Sequence, residues 1–213
     1  MAATHILFDF FGTLVAYQHR PDIDGYQRSH EVLAKAGYEG GYSAFVTLWE
    51  TAYADLEREA KTTHREFSMR DLAESVIERA QHRAGGDLAR RLAATYLQEW
   101  NQGVRYLDGI GSFIRGLSSR FELGIITNTH DTELVPLHLA AMGLTERFEV
   151  LVTSVEFGVR KPSPEVFQEA LRRLDVDASS CVYVGDNVEA DYRGGLAVGI
   201  DTFLIDPADA HGV

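Results

Sequence analysis

Five short apolar runs rich in β-formers constrain this chain more than any other feature: HILFD (5–9), FELGII (121–126), EVLVT (149–153), CVYVG (181–185) and DTFLI (201–205). They are apolar throughout rather than alternating, so they read as strands covered on both faces. Helical patterns separate the later runs. Ile110, Phe113, Ile114 and Leu117 recur at helical spacing, as do Val166, Phe167, Ala170, Leu171 and Leu174. Such alternation predicts right-handed crossovers onto a parallel sheet, with a ligand site beyond the carboxyl ends of the strands.

The stretch between the first run and the rest has a different character. It holds no convincing strand, but consecutive amphipathic segments carry Phe45, Leu48, Trp49, Ala52 and Leu56, then Leu72, Val76 and Ala80, then Leu88, Leu92, Tyr96 and Trp100. Gly37, Gly40, Gly41, Gly85, Gly86 and Gly103 punctuate them. The expected organisation is a doubly wound, Rossmann-like α/β core from residues 1–16 and 104–213, interrupted by a four-helix unit at 17–103. A chain of 213 residues suits one or two domains of this kind.

The formal net charge of −12 argues against nucleic acid or an anionic membrane as partner, so any bound phosphate must be met by a local device. The single Cys181 sits in an apolar run, where a buried structural thiol is expected, and one cysteine makes neither a disulfide nor a cysteine metal cluster within the chain. No basic leader opens the chain and no run approaches the ~20 apolar residues of a membrane span. A soluble, cytoplasmic protein, monomeric or homodimeric and acting on a small molecule, is the expectation.

Polar residues gather where the strands should end. Asp9 closes the first run ahead of Gly12 and Thr13, which allow a tight turn; it suits a nucleophile or metal ligand, and equally a turn cap. Thr127 and Asn128 end the next run and can hydrogen-bond an anionic oxygen or cap the following helix. Lys161 precedes a rigid Pro-Ser-Pro corner. Gly185 and Asp186 follow the fourth run, with Asp191 five residues on, and such an acid pair suits a hard cation with oxygen ligands or, more plainly, helix caps.

Asp, Thr, Lys and Asp, each at a strand end and in that order, resemble the haloacid dehalogenase-like hydrolase superfamily over residues 5–15 and 104–205. The helical insertion falls where that superfamily carries its cap of the first type. The resemblance implies Asp9 as nucleophile, Thr127 as a ligand of phosphoryl oxygens, Asn128 on the same rim, and Lys161 balancing negative charge. Gly12 and Thr13 would complete the substrate-binding set. Mg²⁺ would be held by Asp9, Asp186 and the backbone carbonyl of Phe11, with Asp191 supporting. An aspartyl-phosphate would form and be hydrolysed, with cations relieving the repulsion between carboxylate and phosphate.

One position departs from the pattern. Most phosphatases of the superfamily carry a second Asp two residues after the first, to protonate the leaving oxygen and then activate water, help typically worth about 10²–10⁴ in rate. Here that residue is Phe11. Three readings remain open: a phosphatase that needs little protonation or borrows an acid such as His130 or a cap residue; a 2-haloacid dehalogenase, since a halide leaves without a proton and those enzymes place an aromatic here; or a degenerate member that binds without turnover. Dehalogenases work without metal and typically show Ser-Asn at the last motif, whereas this chain has Gly185-Asp186-Asn187 and Asp191, which favours the Mg²⁺-dependent phosphatase. Tyr17, His19, Arg20 and the REFS stretch at 65–68 are candidates for the substrate entrance, with surface or packing roles as the plainer alternative. Trp49 and Trp100 fall on apolar helical faces and are expected in the core.

Overall fold

The computed structural model describes residues 3–17, 26–80 and 86–205, so His19 and Arg20 lie outside the described residues. The chain divides into two compact units, one of residues 1–16, 64–66 and 105–213, the other of residues 17–63 and 67–104. Each has its own core.

The first unit begins with β1 (His5–Phe8); β2 (Val15–Tyr17) runs to its boundary. The second unit contributes four helices, α1 (Gln27–Lys35), α2 (Tyr42–Thr63), α3 (Met69–Arg79) and α4 (Gly86–Trp100). After β3 (Val104–Tyr106) come α5 (Ile110–Leu117), β4 (Glu122–Thr127), α6 (Leu134–Met142), β5 (Val150–Thr153) and the short α7 (Ser154–Phe157). The chain then forms α8 (Pro164–Leu174), β6 (Cys181–Gly185), a π-helical turn over Val188–Arg193, α9 (Gly194–Ala197) and β7 (Asp201–Leu204). Among the described residues no helix is long and apolar enough to cross a membrane.

All five strands of the main sheet run parallel in the order β5-β4-β1-β6-β7. The central β1 therefore has β4 on one side and β6 on the other, so the chain positions after all three strands share one edge. Leu7, Ile126, Val150, Val152 and Tyr183 pack with Val166, Phe167 and Ala170 of α8. The α8 sequence explains its placement: Pro164 starts it, its apolar residues return at helical spacing, and Arg172 and Arg173 lie in its last turn, where cations suit the helix dipole.

Two details differ from the sequence expectation. The edge strand β7 is not covered on both faces, since Phe203 is 61% exposed; among the described residues its strand neighbour is β6 alone. The separate two-stranded sheet of β2 and β3 was not foreseen, because three-residue strands carry too little pattern to register.

In the second unit Leu33, Phe45, Trp49, Leu72, Val76, Ile77 and Leu92 form a core separate from that of the first. Trp49, in the core, stacks on Tyr96 at 4.1 Å, whereas Trp100, expected there too, is only partly buried and stacks on Tyr17 at 4.6 Å. Ser68 caps α3, its hydroxyl accepting from the Asp71 amide while Asp71 accepts from the Ser68 amide. Buried Glu99 receives the Arg28 and Ser29 amides at the start of α1, at 2.8 and 3.0 Å, and the Ser29 hydroxyl at 2.5 Å. Of the REFS stretch, then, Ser68 is a helix cap and Phe67 a core residue of this unit.

Candidate active site

Asp9 lies one residue past β1, its amide donating to Val184 O at 2.9 Å, and the side chain is buried beside the ends of β4 and β6. Lys161, far along the chain, is drawn into the same place and is only 4% exposed. Its ammonium donates to Asp9 Oδ1 at 2.7 Å and Asp191 Oδ1 at 2.5 Å, and lies 2.9 Å from the Tyr183 hydroxyl. Burial alone would lower the lysine's pKa, but the two carboxylates outweigh it and hold the ammonium charged.

Carboxylate oxygens of Asp9, Asp186 and Asp191 all lie within 4.8 Å of one another, and no other group of three or more His, Cys, Asp or Glu among the described residues converges in this way. The three acids are not equivalent. Asp191 is saturated: Oδ1 faces Lys161 and the Tyr183 hydroxyl at 2.8 Å, and Oδ2 accepts the Asn187 amide at 3.0 Å. The π-helical turn makes this return possible, with the Asn187 side chain capping it through the Glu189 and Ala190 amides. Asp186 is answered less fully, by its own backbone amide and the charge of Lys161, and it sits where Gly12 lets it: Gly12 has φ +91°, and a Cβ there would fall 2.2 Å from Asp186 Oδ2.

Burial raises the Asp186 carboxyl to about 6, with Asp9 and Asp191 adding to the effect. Burial also raises Asp9; Lys161 pulls it down, Asp191 pushes it up, and the net direction is upward. One lysine thus leaves an excess of negative charge. That donor set, all carboxylate oxygen, fits a divalent cation such as Mg²⁺.

The remaining expected residues occupy the same rim. Thr127 ends β4 and its hydroxyl is buried with no hydrogen-bond partner among the described residues. Thr13 Oγ1 lies 3.5 Å from Asp9 Oδ2. Asn128 meets the backbone of Lys161 from both ends of its carboxamide, accepting from Lys161 N at 2.8 Å and donating to Lys161 O at 3.1 Å. The sequence expectation offered this carboxamide to an anionic oxygen or as a helix cap; here both of its ends engage the lysine's own loop. The half-buried Phe11 ring packs edge-on against Phe10 and His138, with centroids 5.0 and 6.1 Å apart.

Sequence reasoning overlooked Tyr183 and Ser154, and offered Glu66 only as part of a candidate entrance stretch. Tyr183 bridges Lys161 and Asp191 from inside β6, and an aromatic hydroxyl in an otherwise apolar run was its one signal. Ser154, at the start of α7, takes the Thr129 amide at 2.9 Å. Glu66, within the REFS stretch, accepts from Ser154 Oγ at 2.6 Å and is fully buried.

A five-stranded parallel sheet with helices packed on it, and with acids and a buried lysine gathered at the carboxyl ends of its strands, defines an α/β protein of the hydrolase type. Residues 38–205 match the haloacid dehalogenase-like hydrolase family, and the chain belongs to that family. It is 29% identical over 212 residues to a ribulose-1,5-bisphosphate 5-phosphatase of Halopiger xanaduensis, covering 97% of this chain and 86% of that protein. A glyceraldehyde 3-phosphate phosphatase of Methanopyrus kandleri is 36% identical over 100 residues, 47% of this chain and 42% of that one. Among solved structures, a 2-haloacid dehalogenase of Pseudomonas syringae pv. tomato superposes with a TM-score of 0.69 at 27% identity, covering 97% of this chain and 87% of its own.

Proposed function

We propose that the protein is a Mg²⁺-dependent phosphatase of a small phosphorylated metabolite, working through a phosphorylated Asp9. The observation that carries this reading is the convergence of Asp9, Asp186 and Asp191 against a single lysine, an arrangement with an electrostatic cost that a bound cation removes. The phosphatase names of two relatives support it.

Asp9 and Asp186 would hold the Mg²⁺ with the backbone carbonyl of Phe11, and Asp191, its oxygens already engaged, would support the site by fixing Lys161. The ion when bound would neutralise phosphate charge and act as a Lewis acid. Asp9 Oδ2, which faces the Thr13 hydroxyl at 3.5 Å rather than Lys161, is the natural attacking atom. Lys161 offsets the repulsion between that carboxylate and the phosphoryl group. The orphaned Thr127 hydroxyl gains a partner when a phosphoryl oxygen arrives, and Gly12 and Thr13 line the turn beside it.

A second reading has its own observation. Phe11 cannot move a proton, and a halide needs none, which together with the dehalogenase likeness favours carbon-halogen cleavage. The test is release of phosphate from an ester panel and of chloride from 2-chloropropionate, each with Mg²⁺ and with chelator, beside Asp9→Asn. Metal-dependent phosphate release abolished by the substitution supports the phosphatase. Chelator-insensitive chloride release replaces it with the dehalogenase.

A further inference from the structure

Phe11 removes the group that would protonate a leaving oxygen, yet the same rim carries a buried carboxylate-imidazole pair. Glu66 Oε1 lies 3.3 Å from His130 Nδ1, while Oε2 takes the Ser154 hydroxyl at 2.6 Å and has Arg160 Nε at 3.6 Å. The Glu66 side chain is fully buried and that of His130 is 19% exposed. Burial favours the neutral acid, but His130, Ser154 and Arg160 together outweigh it and keep Glu66 ionised.

The pair is built into the strand-end loops. His130 stands three residues past Thr127. Ser154 Oγ, its hydrogen given to Glu66, anchors the intervening loop by accepting the Thr129 amide at 2.9 Å. Residues 64–66 are fixed by an antiparallel bridge of Arg65 to Val159, by the Glu66 amide on Gly158 O at 3.1 Å and by the Arg160 amide on His64 O at 2.9 Å. Arg160 immediately precedes Lys161. The carboxylate therefore joins the loop carrying Thr127 to the loop carrying Lys161, and it holds the imidazole through Nδ1.

We propose that His130 is the general acid and base of this site, in place of the acid that Phe11 lacks, with Glu66 as its positioning residue. The inference rests on the phosphatase reading. As Asp9 Oδ2 bonds to phosphorus and the bond from phosphorus to the ester oxygen breaks, His130 Nε2–H gives its proton to the departing alkoxide, releasing the alcohol. The neutral imidazole then takes a proton from water as its oxygen attacks the phosphorus of the aspartyl-phosphate. The bond to Asp9 breaks, hydrogen phosphate leaves, and carboxylate and imidazolium are restored.

The test uses the full chain with Mg²⁺ and two esters, p-nitrophenyl phosphate, whose leaving group departs unprotonated, and glycerol 2-phosphate, whose alkoxide does not. The readout is kcat/KM, which reports the steps through loss of the alcohol. For His130→Gln the expected loss is about 10²-fold on glycerol 2-phosphate and a few-fold on p-nitrophenyl phosphate. Glu66→Gln should lose about tenfold on the alkyl ester alone. Adding Phe11→Asp to His130→Gln should recover alkyl-ester turnover. Equal losses on both esters, or none, overturn the proposal and leave the phosphatase standing. Absence of Asp9-dependent phosphate release from p-nitrophenyl phosphate in the unsubstituted protein overturns both.

Discussion

Replacing Asp186 by asparagine should stabilise the metal-free protein while abolishing its response to Mg²⁺. The carboxyl is moved from 3.8 to about 6 by burial and by Asp9 and Asp191. At about 1.4 kcal/mol per pH unit this amounts to about 3 kcal/mol. Asp186 is only half-buried and water screens part of the repulsion, so a net cost of about 1–2 kcal/mol is the appropriate expectation. The folded-state pKa is raised, so the folded chain binds the proton more tightly than the unfolded one. Stability is therefore lost as pH climbs from 3.8 to about 6 and stays lost above that. Relative to the wild type, Asp186→Asn should gain about 1–2 kcal/mol at pH 8 in chelator, and the gain should vanish below pH 3.8. For a chain of this length it corresponds to a rise in Tm of about 3–6 °C. Calorimetry in chelator and in 10 mM MgCl₂ reads both effects, because a cation that binds only the folded wild type raises its Tm by mass action. A variant no more stable than the wild type at pH 8 in chelator would refute the electrostatic account of the site.

Three further outcomes follow from single side chains. Thr127→Val removes a buried hydroxyl that has no partner among the described residues, so the chelated protein should gain about 1 kcal/mol in urea unfolding while ester turnover drops by about 10²-fold; loss of stability would mean that the hydroxyl is satisfied in the free protein. Gly12→Ala places a methyl 2.2 Å from Asp186 Oδ2 at φ +91°, and should cost about 1–2 kcal/mol in backbone strain and remove the Mg²⁺-induced rise in Tm. Glu99→Ala strips three hydrogen bonds from the start of α1, and an expected loss of about 3 kcal/mol, read by chemical denaturation, tests that cap apart from the active site.

The residues that were legible in the sequence owe their legibility to local chemistry. β1, β4, β5 and β6 were readable because burial in a parallel sheet demands apolar side chains on both faces; β7, at the edge, relaxes that demand at Phe203. Asp9, Thr127 and Asp186 stood out because each polar group ends or follows such a run, and Lys161 because it precedes a rigid Pro-Ser-Pro corner. What stayed hidden depends on partners distant along the chain. Asn128 looked like a substrate contact because its target, the backbone of Lys161, belongs to another loop. Tyr183 looked like one more β-former until Lys161 and Asp191 closed around its hydroxyl.

Asp186 and Asp191 illustrate the point most sharply, since the sequence offers them as a matched pair and the folded chain divides their work. The π-helical turn brings Asp191 back to the Asn187 amide, and Lys161 and Tyr183 occupy its other oxygen, so its charge is answered within the protein. Asp186 is answered only in part, by its own backbone amide and the charge of Lys161. Gly12 admits it to within contact of the loop that carries Asp9, where every other acid present raises its energy. On the proposed reading a bound cation would offset the cost of that placement, and oxygen-only donors suit a hard divalent ion.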